Sequence, residues 1–153
     1  MLPKTISTIM KDFYQSAFYG VVKETQESSG YTLPVDIESY VVMLLADHLD
    51  KPNFLPETTF AESYLRLKNS RDAKALGDSC LLVTGVFPDY GIDQEYYIGI
   101  GQSSYHSISY GMNKDLFNDL SKHFKFVRYF IELTTSSHTC LLYTSPSPRD
   151  GDE

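Results

Sequence analysis

Apolar residues recur at helical spacing along most of the chain. Ile6, Ile9, Met10, Phe13, Ala17 and Val21 share one face of a first helix, expected over about residues 4–26 and ended by the polar run Glu27-Ser28-Ser29-Gly30. The cleanest pattern follows Pro34, where Ile37, Tyr40, Val41, Leu44, Leu45, His48 and Leu49 keep the i, i+3, i+4, i+7 rule. Asp36 and Glu38 suit the positive end of that helix, and Pro52 stops it. A shorter helix starts at Thr59, whose spacing to Glu62 fits a capping box, and Asn69-Ser70 interrupts it, leaving Ser70 to cap the next. The fourth helix carries Ala73, Leu76, Cys80, Val83, Thr84 and Phe87 on one face and Leu81, Leu82 and Val86 on the other. It therefore needs neighbours on both sides, and its uncharged stretch Cys80–Phe87 is the segment expected to be buried all round.

The next stretch supports two patterns. As a helix, EYYIGIGQSSYHSISYG aligns Tyr97, Gly101, Ser104, Tyr105 and Ile108; as a hairpin over about 96–110, Tyr96, Ile98, Ile100 and then His106, Ile108, Tyr110 alternate. Its glycines and β-branched residues favour strands, but a lone hairpin among helices has no sheet to join, so the helix is preferred. Asn113 then precedes Leu116, Phe117, Leu120, Phe124, Val127, Phe130 and Ile131, one helix running to about Leu133. The expected fold is all-α, a single domain of five or six packed helices over residues 1–139, with an α+β arrangement as the alternative if 96–110 pairs as strands.

The final residues change the count of what belongs to that domain. Cys140 to Asp150 reads CLLYTSPSPRD, which resembles the translation of a sequencing-library adaptor. Residues 140–153 are therefore set aside as an artefactual tail, expected to be disordered, which leaves open whether native residues follow Thr139. The whole chain has a net charge of −7; without Arg149, Asp150, Asp152 and Glu153, 12 basic and 17 acidic side chains leave −5. An acidic domain with no evident basic stripe argues against nucleic acid or an anionic membrane as partner. Cys80 is the one cysteine before the tail, so no internal disulfide is expected there. No charged-then-apolar leader is visible, and no apolar run reaches roughly 18 residues. The expected location is cytoplasmic.

Candidate chemistry is sparse. Asp78, one turn before the apolar run, is a carboxylate that must be paired or shifted in pKa if buried. It is read as a ligand contact or base, as a hydrogen-bond partner of Tyr97, Ser104 or Tyr105, or as facing water. Gly77, Gly85, Gly99 and Gly101 suggest close helix packing, since an interior glycine costs about 1 kcal/mol relative to alanine. GIGQSS lacks the third glycine and the lysine of phosphate loops. Cys80 has no cation nearby in sequence to form a thiolate and is read as core. His48, His106 and His123 form no metal-binding spacing, so no metal and no cofactor is expected. Of eleven tyrosines before the tail, Tyr90, Tyr96, Tyr97, Tyr105 and Tyr110 lie close in sequence, as an interface or as filling for a core without tryptophan.

LGDSCLLVTGVFP followed by YYIGIGQSSY resembles an uncharacterised proteobacterial family of largely helical proteins, through Leu76, Gly77, Asp78, Leu81, Leu82, Gly85, Phe87, Pro88, Tyr97, Gly101, Ser104 and Tyr105. YVVMLLADHL, residues 40–49, is similar to the first strong helix of that family, and the likeness spans most of residues 35–133. It implies a helical fold, including a helix at Tyr97–Tyr105, and no activity. No residue is assigned a catalytic role. The functional reading is a non-enzymatic cytoplasmic interaction or accessory protein, with a protein partner or a homodimer covering the fourth helix. The alternative is a small-molecule-binding protein or enzyme with a pocket around Asp78, Ser104 and Tyr105.

Overall fold

The computed structural model describes residues 6–91 and 93–138, and its regular backbone is helical throughout. The elements are α1 (Ile6–Ser29), α2 (Val35–Asp50), α3 (Phe60–Leu65), α4 (Ser70–Gly85), α5 (Gln94–His106), α6 (Lys114–Lys122) and α7 (Phe124–Ser137). They form one all-α domain, and no strand occurs among the described residues. The tail set aside from the sequence lies outside the described residues.

Local chemistry accounts for most element ends. Gly30 takes a positive φ of 81° and returns its N–H to the Gln26 carbonyl, closing α1 as a left-handed glycine does. A half-buried clamp holds the turn that follows: Gln26 donates to Glu38 at 2.6 Å and accepts from the Leu33 N–H at 2.8 Å, while Lys23 lies 2.9 Å from Glu38. Burial alone would raise the Glu38 carboxyl; the bonds from Lys23 and Gln26 outweigh it and hold the pKa below the usual value. Lys51, ahead of Pro52, leaves helical geometry at φ −133°, ψ 87°, as a residue before proline must. Thr59 accepts from the Glu62 N–H at the start of α3.

Three expectations need correction. Asn69, not Ser70, caps α4, its side chain accepting from the Asp72 N–H at 2.8 Å. Asn113 makes no side-chain cap, and the last helix breaks at His123 (φ −105°, ψ 24°), so the described residues form seven helices where five or six were expected. The break lets α6 lie on α5 while α7 lies on α4. The segment read two ways forms the preferred helix, over Gln94–His106, with Tyr97, Ile98, Gly101, Ser104 and Tyr105 all buried on one side of α5. The hairpin does not form.

α4 is the centre of the molecule. It packs most extensively against α5 and next against α7, and Cys80, Leu81, Leu82 and Val83 are all but inaccessible. Its first half keeps an open face, with Arg71, Asp72, Lys74 and Ala75 exposed. At its C-terminal end Arg128 of α7 donates from Nε and Nη2 to the Thr84 carbonyl, at 3.1 and 2.8 Å, and ion-pairs with Glu132. A guanidinium on a terminal helix carbonyl also opposes the negative end of the dipole.

Candidate functional site

Asp78 sits on α4 one turn after Lys74, at the place where α2 and α5 converge. Its Oδ1 accepts from the Tyr105 hydroxyl of α5 at 2.6 Å and from the Tyr40 hydroxyl of α2 at 2.5 Å. Lys74 approaches Oδ2 at 3.1 Å and lies 5.2 Å from the centre of the Tyr40 ring. Phe117 of α6 packs against both tyrosine rings, at 6.0 and 5.9 Å between centroids. Three helices thus meet on one carboxylate, with α6 packed against the two rings. Gly77 makes the approach of α5 possible, because a Cβ there would stand 2.6 Å from Cε1 of Tyr105.

The electrostatics describe a closed node. Burial raises the Asp78 carboxyl above its usual pKa, and Lys74 and the two hydroxyls pull it back without cancelling the rise. Burial and the Asp78 charge push both tyrosine hydroxyls up in turn. The Asp78 side chain keeps 17% exposure, and Ser104 and Tyr105 are fully enclosed. A base or nucleophile here would first have to break a bond that holds the fold.

The sequence candidates divide accordingly. Asp78 and Tyr105 are brought together. Ser104 is buried with no partner for its Oγ, and Tyr97 packs instead on Phe60, 4.9 Å between ring centres, making no bond to Asp78. Tyr40 was missed, although a phenol on an otherwise aliphatic helix face is a signal that a hydroxyl must find a partner. The glycines serve different contacts: Gly77 admits Tyr105, Gly101 admits Phe124 and the Cys80 side chain, Gly85 faces Ile131 of α7 rather than α5, and Gly99 faces open space. The tyrosine group likewise splits, Tyr97 and Tyr105 into the core, Tyr96 and Tyr110 to the surface.

Cys80 is buried, and burial foremost, with the Asp78 charge, pushes its thiol up, away from thiolate chemistry. His48 is enclosed between the rings of Phe54 and Phe87, at 5.4 and 5.8 Å, with neither ring nitrogen hydrogen-bonded. Burial lowers its pKa to about 4. Among the described residues no group of three His, Cys, Asp or Glu side chains is placed to hold a metal ion, and no helix is long and apolar enough to cross a membrane.

Open clefts among the described residues have a different character. One, about 620 Å³, lies between the α3–α4 junction and the turn after α5, lined by Tyr64, Leu65, Leu67, Ala73, Ile108 and Tyr110 among others. Leu65 is 81% exposed, Tyr110 75%, and Met112, next to lining residue Gly111, 93%. These are three of the five most exposed large apolar side chains among the described residues. A second cleft, about 560 Å³, is bordered by Glu57, Glu62, Tyr90 and Tyr96; a third, about 400 Å³, lies between Tyr19 and Met43. Ile6, Ile9, Met10 and Phe13 of α1 are also exposed. Set against protein-family models, curated proteins and solved structures, the chain matches none.

Proposed function

We propose that this chain is a non-enzymatic interaction or accessory protein and that its working surface is the cleft between Leu65 and Tyr110, which receives a segment of another protein. One observation carries the reading: Leu65, Tyr110 and Met112 stand almost fully in solvent around a concave surface, where isolated exposed side chains would need no explanation. Concave apolar surfaces with hydroxyls at the edge, here Ser70, Ser107 and Tyr110, are what peptide grooves offer. The alternative, a ligand or catalytic pocket around Asp78, Ser104 and Tyr105, draws less support, since those groups are enclosed or already bonded. Kinship with the helical proteobacterial family is part of the proposal; the positions Gly77, Gly101 and Tyr105 that carry the likeness are ones where α4, α5 and α7 touch.

The test is comparative affinity enrichment with the wild-type chain and a Leu65→Asp/Tyr110→Ala variant, followed by titration of each enriched protein in purified form. The reading expects a partner that binds the purified wild-type chain and loses at least about tenfold in affinity for the variant, as expected for central apolar anchors. A purified partner that binds both forms equally would overturn it.

A further inference from the structure

From the charges around this cleft we infer the chemistry of its occupant: an acidic peptide segment with a large apolar anchor. This rests on the docking reading above and adds to it. The wall from Leu65 to Ala75 reads LRLKNSRDAKA, with Arg66, Lys68, Arg71 and Lys74 against the single acid Asp72, in a chain whose net charge is −7. Arg66 is paired with Glu62 and Lys74 with Asp78. Lys68 and Arg71 are exposed, and among the described residues neither makes an ion pair. Neither lines the cleft itself, but both are chain neighbours of the lining residues Leu67, Asn69 and Ser70, which puts two uncommitted cations beside an apolar cleft.

The backbone adds to the same field. The cleft is bordered by the start of the 16-residue α4, where Asn69 satisfies the Asp72 N–H through its side chain and the Ala73 N–H through its carbonyl. Among the described residues nothing accepts from the first-turn N–H groups of Ser70 and Arg71, and the helix dipole favours negative charge beside them. The 560 Å³ cleft differs in charge, with Glu57 and Glu62 in its wall, Glu62 being the partner of Arg66. A peptide is favoured over an anionic lipid surface on two grounds: the apolar residues line a concavity, and an acidic protein is repelled as a whole by an anionic membrane. Opposed charges at a rim steer encounter and select the partner, while apolar anchors hold it.

Display of a random-peptide library on the wild-type chain and on two variants, Lys68→Glu/Arg71→Glu and Leu65→Asp, tests the inference. All three substituted side chains are exposed, so the fold should persist, which circular dichroism checks. Peptides enriched on the wild type should combine Asp or Glu with Leu, Ile or Phe, bind with an affinity that falls as salt rises, and weaken at least about tenfold on either variant. The charge-reversed variant should instead enrich Lys and Arg. If the wild-type peptides survive Lys68→Glu/Arg71→Glu but fail on Leu65→Asp, the acidic chemistry is wrong while the docking cleft stands. If they survive both, or if no peptide is enriched, both are wrong. Binding to phosphatidylserine vesicles that the charge-reversed variant loses would assign the rim to a membrane and overturn the peptide.

Discussion

At the scale of single residues, Asp78 is the bond on which α2, α4 and α5 converge, and its worth lies in what its loss would strand. Asp78→Ala leaves the hydroxyls of Tyr40 and Tyr105 without their acceptor, Tyr105 in a fully enclosed position. Urea unfolding should show a loss of about 3 kcal/mol, and about half that for Asp78→Asn, which keeps an acceptor oxygen. His48 makes a separate prediction about pH. The folded chain keeps it neutral down to about pH 4, whereas the unfolded chain protonates it near 6.5. Between those values the unfolded state holds the extra proton, so the contribution is complete above pH 6.5 and drains away as the pH falls to about 4. His48→Leu should therefore lose roughly 2 to 3 kcal/mol less than the wild type between about pH 7 and about pH 4.5. Equal losses in the two proteins would show that His48 is not enclosed as described.

At the scale of elements, glycine placement separates packing from mere tolerance. Gly77→Ala would drive a Cβ into a Tyr105 ring pinned by Asp78 and backed by Phe117, and should cost about 1 to 3 kcal/mol. Gly99→Ala meets nothing within 4 Å and should gain about 0.5 to 1 kcal/mol from the unfolded state alone. Opposite signs in thermal melts of the two variants check both. The same helix shows where the sequence is readable. α2 announces itself, because Pro34 and Pro52 punctuate an unbroken apolar face. α5 does not, because its glycines and β-branched residues suit strands locally, and the contacts that make it a helix come from Cys80 and Phe124, distant in sequence. The break at His123 was hidden for a similar reason: the apolar period runs straight through it from Phe117 to Ile131. Tyr40 was counted as an apolar position, and only the arrival of α4 shows what its hydroxyl does.

At the scale of the whole molecule, the proposed function places the working surface at the cleft between Leu65 and Tyr110. The cleft was illegible in sequence because its walls come from Leu65 and Tyr110, some distance apart along the chain, and because a net charge of −7 masks four cations between Arg66 and Lys74. Amide hydrogen exchange, followed by mass spectrometry on the chain alone and saturated with its purified partner, tests this most directly. Protection should rise around residues 64–73 and 107–111, and exchange at α1 should be unchanged. Protection confined to Ile6–Phe13, or to the Glu57–Glu62 border of the second cleft, with residues 64–73 and 107–111 exchanging as before, would contradict the account.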